Sequence, residues 1–294
     1  MLTLFRWLSR WPLWLLHALG AGVGWLSFLL SPGYRRRFRA NVAQAGVPWE
    51  EARRAIAEGG RLLFELPYLW MRPHGRPLHP PVQWTNAHLV DAAHARGKGI
   101  LLLTPHMGCF EVTAQSYAER YADRDRPITV LYRPARKPWL RPLVDTARAR
   151  PGLATAPATL AGVRQMIRAL RRGETVGLLP DQVPPDGLGV WAPFFGKPAY
   201  TMTLAARLSQ QTGATPLLIW GERLPAGRGY VVHLAALDEP LPDAGAPQAE
   251  SAAAINRAME RLIRGCPQQY LWGYDRYKKP RGADSHPAVA DHED

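Results

Sequence analysis

The sequence predicts an α/β fold, a mostly parallel central sheet flanked by helices, with an N-terminal hydrophobic membrane helix. Three observations predict it. Short apolar runs alternate with segments of helical periodicity between residues 99 and 264, the pattern of repeated strand and helix units. Several runs are nearly continuous in apolar side chains, as strands covered on both faces are. Residues 11–30 (WPLWLLHALGAGVGWLSFLL) carry no formally charged side chain.

Taken in order, segment 11–30 would make about 30 Å of helix, close to the thickness of a hydrocarbon core. Ser31-Pro32 follows it rather than an A-x-A cleavage site, so the segment is expected to stay attached. Arg35, Arg36, Arg37 and Arg39 come next, against Arg6 and Arg10 before it, which predicts that the remainder faces the cytoplasm. Segment 48–71 opens with Pro48 and two Glu and has helical apolar spacing, predicting an amphipathic helix kinked near Pro67. The run RPHGRPLHPP at 72–81 cannot continue a helix and marks the boundary of the core. Beyond it, strands are predicted at 99–104, 128–132, 175–179, 215–220 and 230–237, and helices at 110–121, 160–172, 200–211 and 248–264. The chain is thus expected to divide into a membrane anchor with basic flank (1–40), membrane-proximal helices (41–81), a catalytic core (82–280) and a polar, disordered tail (281–294).

A net charge of +13 suits anionic lipid, phosphorylated substrates, acidic carrier proteins or nucleic acid, and does not choose among them. No nucleic-acid motif accompanies the aromatic and basic run WGYDRYKK, and the apolar amino terminus argues against that partner. Cys109 and Cys266 are too few for a disulfide framework and lack metal-site spacing, so neither a metal nor a cofactor is expected.

Candidate chemistry concentrates after the 99–104 run. In TPHMGCFE, His106 and Glu111 stand five apart, a spacing found three times in the chain against roughly 0.7 expected by chance. His286 with Asp291 falls in the tail, and His233 with Asp238 starts inside an apparent strand. His106 instead leaves a strand and precedes a helix, with Gly108 leaving room for a ligand to approach the backbone. A strand-to-helix turn can fold the imidazole onto Glu111, so that one ring nitrogen is held protonated while the other takes a proton from a hydroxyl. Cys109 offers the alternative of a covalent thioester relay. Arg133 and Arg136, in LYRPARKP, are candidates for binding an anionic substrate, and Asp181 and Gln182, in LLPDQ, for positioning an acceptor hydroxyl or an Arg.

Read together with the basic run ending at Asn41, the FFG of Phe194 to Gly196 and the closing QYLWGYDRYK, these motifs resemble the lipid A biosynthesis acyltransferase family. The resemblance implies transfer of a fatty acyl chain from acyl carrier protein to a hydroxyl of a phosphorylated glycolipid acceptor, at the cytoplasmic face of the inner membrane. It places the catalytic histidine and acid on His106 and Glu111, and substrate binding on Arg133 and Asp181. Cys109-Phe110 departs from the family's usual Asn-Trp. The same chemistry on another membrane lipid, such as a phosphatidylinositol mannoside, a lysophospholipid or an aminolipid, and a non-catalytic membrane-anchored binding protein are the competing readings.

Overall fold

The computed structural model describes residues 2–73, 75–121, 125–132 and 150–282. Its centre is a seven-stranded sheet, built from β1 (Gln83–Thr85), β2 (Ile100–Leu103), β3 (Ile128–Tyr132), β4 (Leu153–Pro157), β5 (Thr175–Leu178), β8 (Thr215–Arg223) and β9 (Tyr230–Ala236). The order is β1-β9-β8-β2-β5-β3-β4. From β8 to β4 every neighbour is parallel; β9 turns back antiparallel on β8, and β1 runs parallel to β9. Strands β6 (Gly189–Phe194) and β7 (Lys197–Met202) form a separate antiparallel hairpin.

Alternation along β2 builds the two halves of the core. Ile100 and Leu102 point to a layer containing Val90 of α6 (His88–Ala95) and Val112 and Tyr117 of α7 (Phe110–Tyr121). Leu101 and Leu103 point to the other, with Met166 and Leu170 of α8 (Leu160–Arg171), Leu208 of α9 (Leu204–Thr212) and Ile255 and Met259 of α10 (Gln248–Gly265). All four β2 side chains are buried, which explains the unbroken apolar run ILLL.

The amino terminus folds as α1 (Leu2–Leu8), α2 (Leu13–Leu30), α3 (Pro32–Gln44), α4 (Trp49–Ala52) and α5 (Ala55–Trp70). At 18 residues, α2 is about 27 Å long and apolar enough to cross a membrane. Its inner face is docked antiparallel on α5 through glycines. A Cβ on Gly60 would lie 1.9 Å from the Gly20 carbonyl oxygen, and one on Gly24 would lie 2.3 Å from that of Ile56. The outer face carries Trp14, Leu19, Val23, Leu26, Leu29 and Leu30, all exposed.

A buried ionic cluster joins this pair to the sheet. Arg223, at the end of β8, donates to both oxygens of Glu65 and to Glu58 on α5, and to the carbonyl of Gly108 at 3.1 Å. His17 of α2 meets the same Glu65 at 3.2 Å. Burial alone would raise the Glu65 carboxyl; the Arg223 charge and the hydrogen bonds from Arg223 and His17 outweigh it and bring it down to about 2.

Several expectations are revised. The helix expected over 48–71 breaks at 53–54 into α4 and α5, and Pro67 lies inside α5. Residues 200–202 complete β7 before α9 begins at Leu204, so the helix expected at 200–211 starts later. Residues 283–294 of the expected tail lie outside the described residues.

The glycine contact predicts an asymmetric pair of variants. Gly60→Val must push α2 off α5 and should lower stability by about 1–3 kcal/mol or more. Gly22→Ala, whose Cβ would meet nothing within 4 Å, should leave stability unchanged or raise it by up to about 1 kcal/mol. Thermal unfolding of both proteins in detergent checks this.

Candidate active site

Strands β2 and β5 pair in parallel with Leu103 opposite Leu178. His106 and Asp181 each follow three residues beyond those positions, so two chain segments distant in sequence leave the sheet side by side at its carboxyl edge. The His106 Nδ1 lies 2.7 Å from Asp181 Oδ1, and the His106 backbone N–H donates to Asp181 Oδ2 at 2.9 Å. One carboxylate thus fixes both the ring and the main chain of the same residue. The Asp181 side chain is 2% exposed and that of His106 19%, which leaves the imidazole as the accessible member.

The electrostatics follow from this geometry. Burial would raise the Asp181 carboxyl, but the charge of His106 and its two hydrogen bonds outweigh that and hold it below the ordinary carboxylate range; Arg276 adds to the effect. Arg276 is buried and donates to the Tyr200 carbonyl at 2.8 Å and to Thr201 Oγ1 at 2.7 Å. The Tyr270 phenol is pushed well up, first by burial and then by the negative charge of Asp181.

The turn itself is braced by the carboxyl-terminal segment. Gly108 N–H donates to the Gln269 carbonyl, Cys109 N–H to the Gly221 carbonyl, and Leu271 N–H to the His106 carbonyl. Gly108 has φ +56°, and a Cβ there would lie 2.0 Å from the Gly221 oxygen. The space this glycine creates is filled by the protein's own chain rather than kept for a ligand. Asn41 Nδ2 donates to the carbonyls of Trp272 and Tyr274, each at 2.7 Å, and the Tyr274 hydroxyl accepts from Val183 N–H at 3.0 Å. The segments RRRFRAN, LLPDQ and QYLWGYDRYK therefore meet around one turn.

The imidazole Nδ1 hydrogen-bonds Asp181, a partner the sequence reading did not give it, because β2 and β5 are adjacent in the sheet. Glu111 accepts from the Trp70 indole N–H at 3.3 Å. It lines a narrow slot between α7 and the sheet, together with Thr104, Phe110, Ala114, Leu131 and Leu179. The Phe110 ring, part of the slot wall, meets the His106 ring edge-on at 5.1 Å. Gln182 lines a different groove, between α2, α5 and residues 271–274. Arg133 and Arg136 lie outside the described residues; β3, which precedes them, ends at Tyr132 on the same edge of the sheet. Cys109 is fully buried, and burial followed by the negative charge of Glu65 raises its thiol well above the ordinary value, which disfavours a thiolate nucleophile. Among the described residues no group of His, Cys, Asp and Glu could hold a metal ion.

Sequence reasoning singled out both His106 and Asp181 without pairing them, and passed over Arg276 and Tyr270. The usable signal was positional: each of the first two follows an apolar strand by the same short interval.

Comparison with known proteins gives a consistent result. Residues 2–279 match the family model described as bacterial lipid A biosynthesis acyltransferase. A lipid A biosynthesis lauroyltransferase of Escherichia coli (strain K12) is 27% identical over 301 residues, covering 95% of this chain and 93% of the relative. A lipid A biosynthesis palmitoleoyltransferase of the same organism is 26% identical over 245 residues, covering 80% and 76%. A lipid A biosynthesis acyltransferase of Haemophilus influenzae is 22% identical, covering 81% and 74%.

The depressed Asp181 carboxyl implies an acid-limb signature. Its contribution to stability is fully present above the unfolded value of about 4 and is lost as pH falls through the lower folded value. The stability difference between wild type and Asp181→Asn should therefore shrink as pH falls below about pH 4. Urea unfolding across that range measures it.

Proposed function

Since the chain belongs to the bacterial lipid A biosynthesis acyltransferase family and is an acyltransferase, we propose that it moves a fatty acyl chain from acyl carrier protein to a hydroxyl of a phosphorylated lipid A precursor, with His106 as general base and Asp181 as its orienting partner. The observation that carries this reading is the His106–Asp181 contact, with Phe110 of an apolar slot against the imidazole. With Nδ1 held by Asp181, Nε2 is left to take the acceptor proton. The alkoxide adds to the thioester carbonyl, forming a C–O bond. Collapse of the adduct breaks the C–S bond, and the leaving thiolate recovers the proton from the imidazolium. Asp181 stays ionised throughout and stabilises the charged ring. Helix α7 starts directly after the turn, with the positive end of its dipole toward the developing oxyanion.

The slot suits the acyl chain. Leu102, Val130, Leu153, Leu178 and Ile219 line it, and the relatives are named for lauroyl and palmitoleoyl transfer. Glu111, held by Trp70 at the slot wall, is placed to orient the acceptor or the thioester. For the donor, α8 leaves β4 at the same edge of the sheet as His106 and exposes Arg164, Arg168 and Arg171 along one face, which complements an acidic carrier. The exposed outer face of α2 and the arginines of α3 fit attachment to the cytoplasmic side of the inner membrane, where the acceptor would be met.

Transfer from labelled acyl carrier protein thioesters to a lipid A precursor by the purified protein tests the assignment. His106→Ala and Asp181→Asn should each lower kcat by about 10²–10⁴ while Cys109→Ala keeps activity of the wild-type order. Full activity in Asp181→Asn alongside loss in Glu111→Gln would sink the Asp181 role and return the ring to Glu111. Transfer from acyl-CoA with none from the carrier thioester would reassign the donor. A bulkier wall should also shorten the chain that fits: Ala114→Leu should shift preference toward shorter acyl donors, with selectivity changing by about tenfold for each one or two methylenes excluded, as read from competing thioesters.

A further inference from the structure

We propose that a second site, outside the catalytic centre, binds the phosphate headgroup of an anionic membrane lipid in the cleft where α1 passes into α2. The cleft encloses about 770 Å³, and Arg6, Arg10, Arg72 and Arg76 line it beside Trp11 and Trp14. Neither Asp nor Glu is among its lining residues. Arginines gathered along one cleft repel one another unless an anion joins them, and the planar fork of a guanidinium matches phosphate oxygens.

The pattern of hydrogen bonds shows which of these charges are already spent. Arg72 is 9% exposed; its terminal nitrogens donate to the Arg76 carbonyl, to Gln115 and to Glu119. Its buried Nε–H has no partner in the described structure. Among the described residues Arg6, Arg10 and Arg76 make no side-chain hydrogen bond or ion pair, and Glu119 offsets the charge of Arg72 alone.

Position argues for a lipid rather than a free anion. Trp14 and Trp7 are 56% and 52% exposed, and Trp14 opens the apolar outer face of α2. Tryptophan settles at the level of lipid headgroups, so the cleft opens at the depth where lipid phosphates lie. The site also reaches the chemistry. Trp70 holds Glu111 and Arg72 holds Gln115, two residues of the slot wall, so a headgroup in the cleft would brace that wall through one short stretch of chain. The binding itself does not rest on the acyl-transfer reading.

Flotation of the full-length protein on vesicles tests the site without any turnover. Three compositions are compared: phosphatidylcholine alone, phosphatidylcholine with phosphatidylglycerol, and phosphatidylcholine brought to the same surface charge with oleate. Arg6→Gln/Arg10→Gln/Arg76→Gln changes exposed residues and should fold; Arg164→Gln/Arg168→Gln/Arg171→Gln removes the same charge from α8. Wild type should prefer phosphatidylglycerol over oleate. The cleft triple variant should lose that preference, its affinity for phosphatidylglycerol falling about fivefold per guanidinium and on the order of a hundredfold in all, while the α8 variant keeps it. Equal losses in the two variants, or equal binding of wild type to oleate and phosphatidylglycerol, would reduce the cleft to general electrostatics and overturn the proposal. Displacement from the vesicles by millimolar inorganic phosphate would make the occupant the free anion and overturn the lipid assignment.

Discussion

The parallel register between β2 and β5 is the constraint on which the site depends. Leu103 faces Leu178, and all four β2 residues are buried between two layers of helices. A slip of one residue would turn Leu101 and Leu103 into the layer meant for Ile100 and Leu102, so the register is held by the whole core. The distance from His106 to Asp181 is therefore set by sheet geometry and not by either loop.

Around that ladder the protein spends charge inside its core. Arg223 and Glu65 are essentially inaccessible, with Glu58 and His17 as further partners. A buried pair of this kind adds little net stability over an apolar replacement, yet losing one member would leave the other uncompensated at a cost of about 3–5 kcal/mol. Its use here is specificity of docking. An apolar α2 could settle on α5 in several registers, whereas His17 and the facing glycines admit one.

Much of this was readable from the sequence. Strands β2, β3, β5, β8 and β9 announce themselves as continuous apolar runs, and α7, α8 and α10 as periodic ones. The missed elements have physical reasons. LATAP of β4 is half-buried at the sheet edge and lacks a continuous run of large apolar side chains, and β6 and β7 each carry a proline, Pro193 and Pro198, within a short two-stranded hairpin. The stretch beginning at Tyr200 has helical composition, but its first three residues are claimed by pairing with β6. For the site, His106 and Asp181 were each recognisable at the end of a strand. Their contact was not, because strand order is a property of the sheet, and five-residue spacing drew attention to Glu111 instead. Gly108 was recognised as necessary for a close approach, while the approaching group, Gly221, lies too far along the chain to be inferred.

Arg223 touches Glu65 on one side and the Gly108 carbonyl on the other, and Glu65 touches His17 of α2. Only Met107 separates Gly108 from His106. The apolar helix is thus no leash on which a globular enzyme wanders; it is bolted to the turn that carries His106. Whatever surface α2 rests upon sets the altitude of His106 above it. The height of that turn over the surface is then a fixed dimension of the protein, much as a plane iron cuts only at the height fixed by its sole.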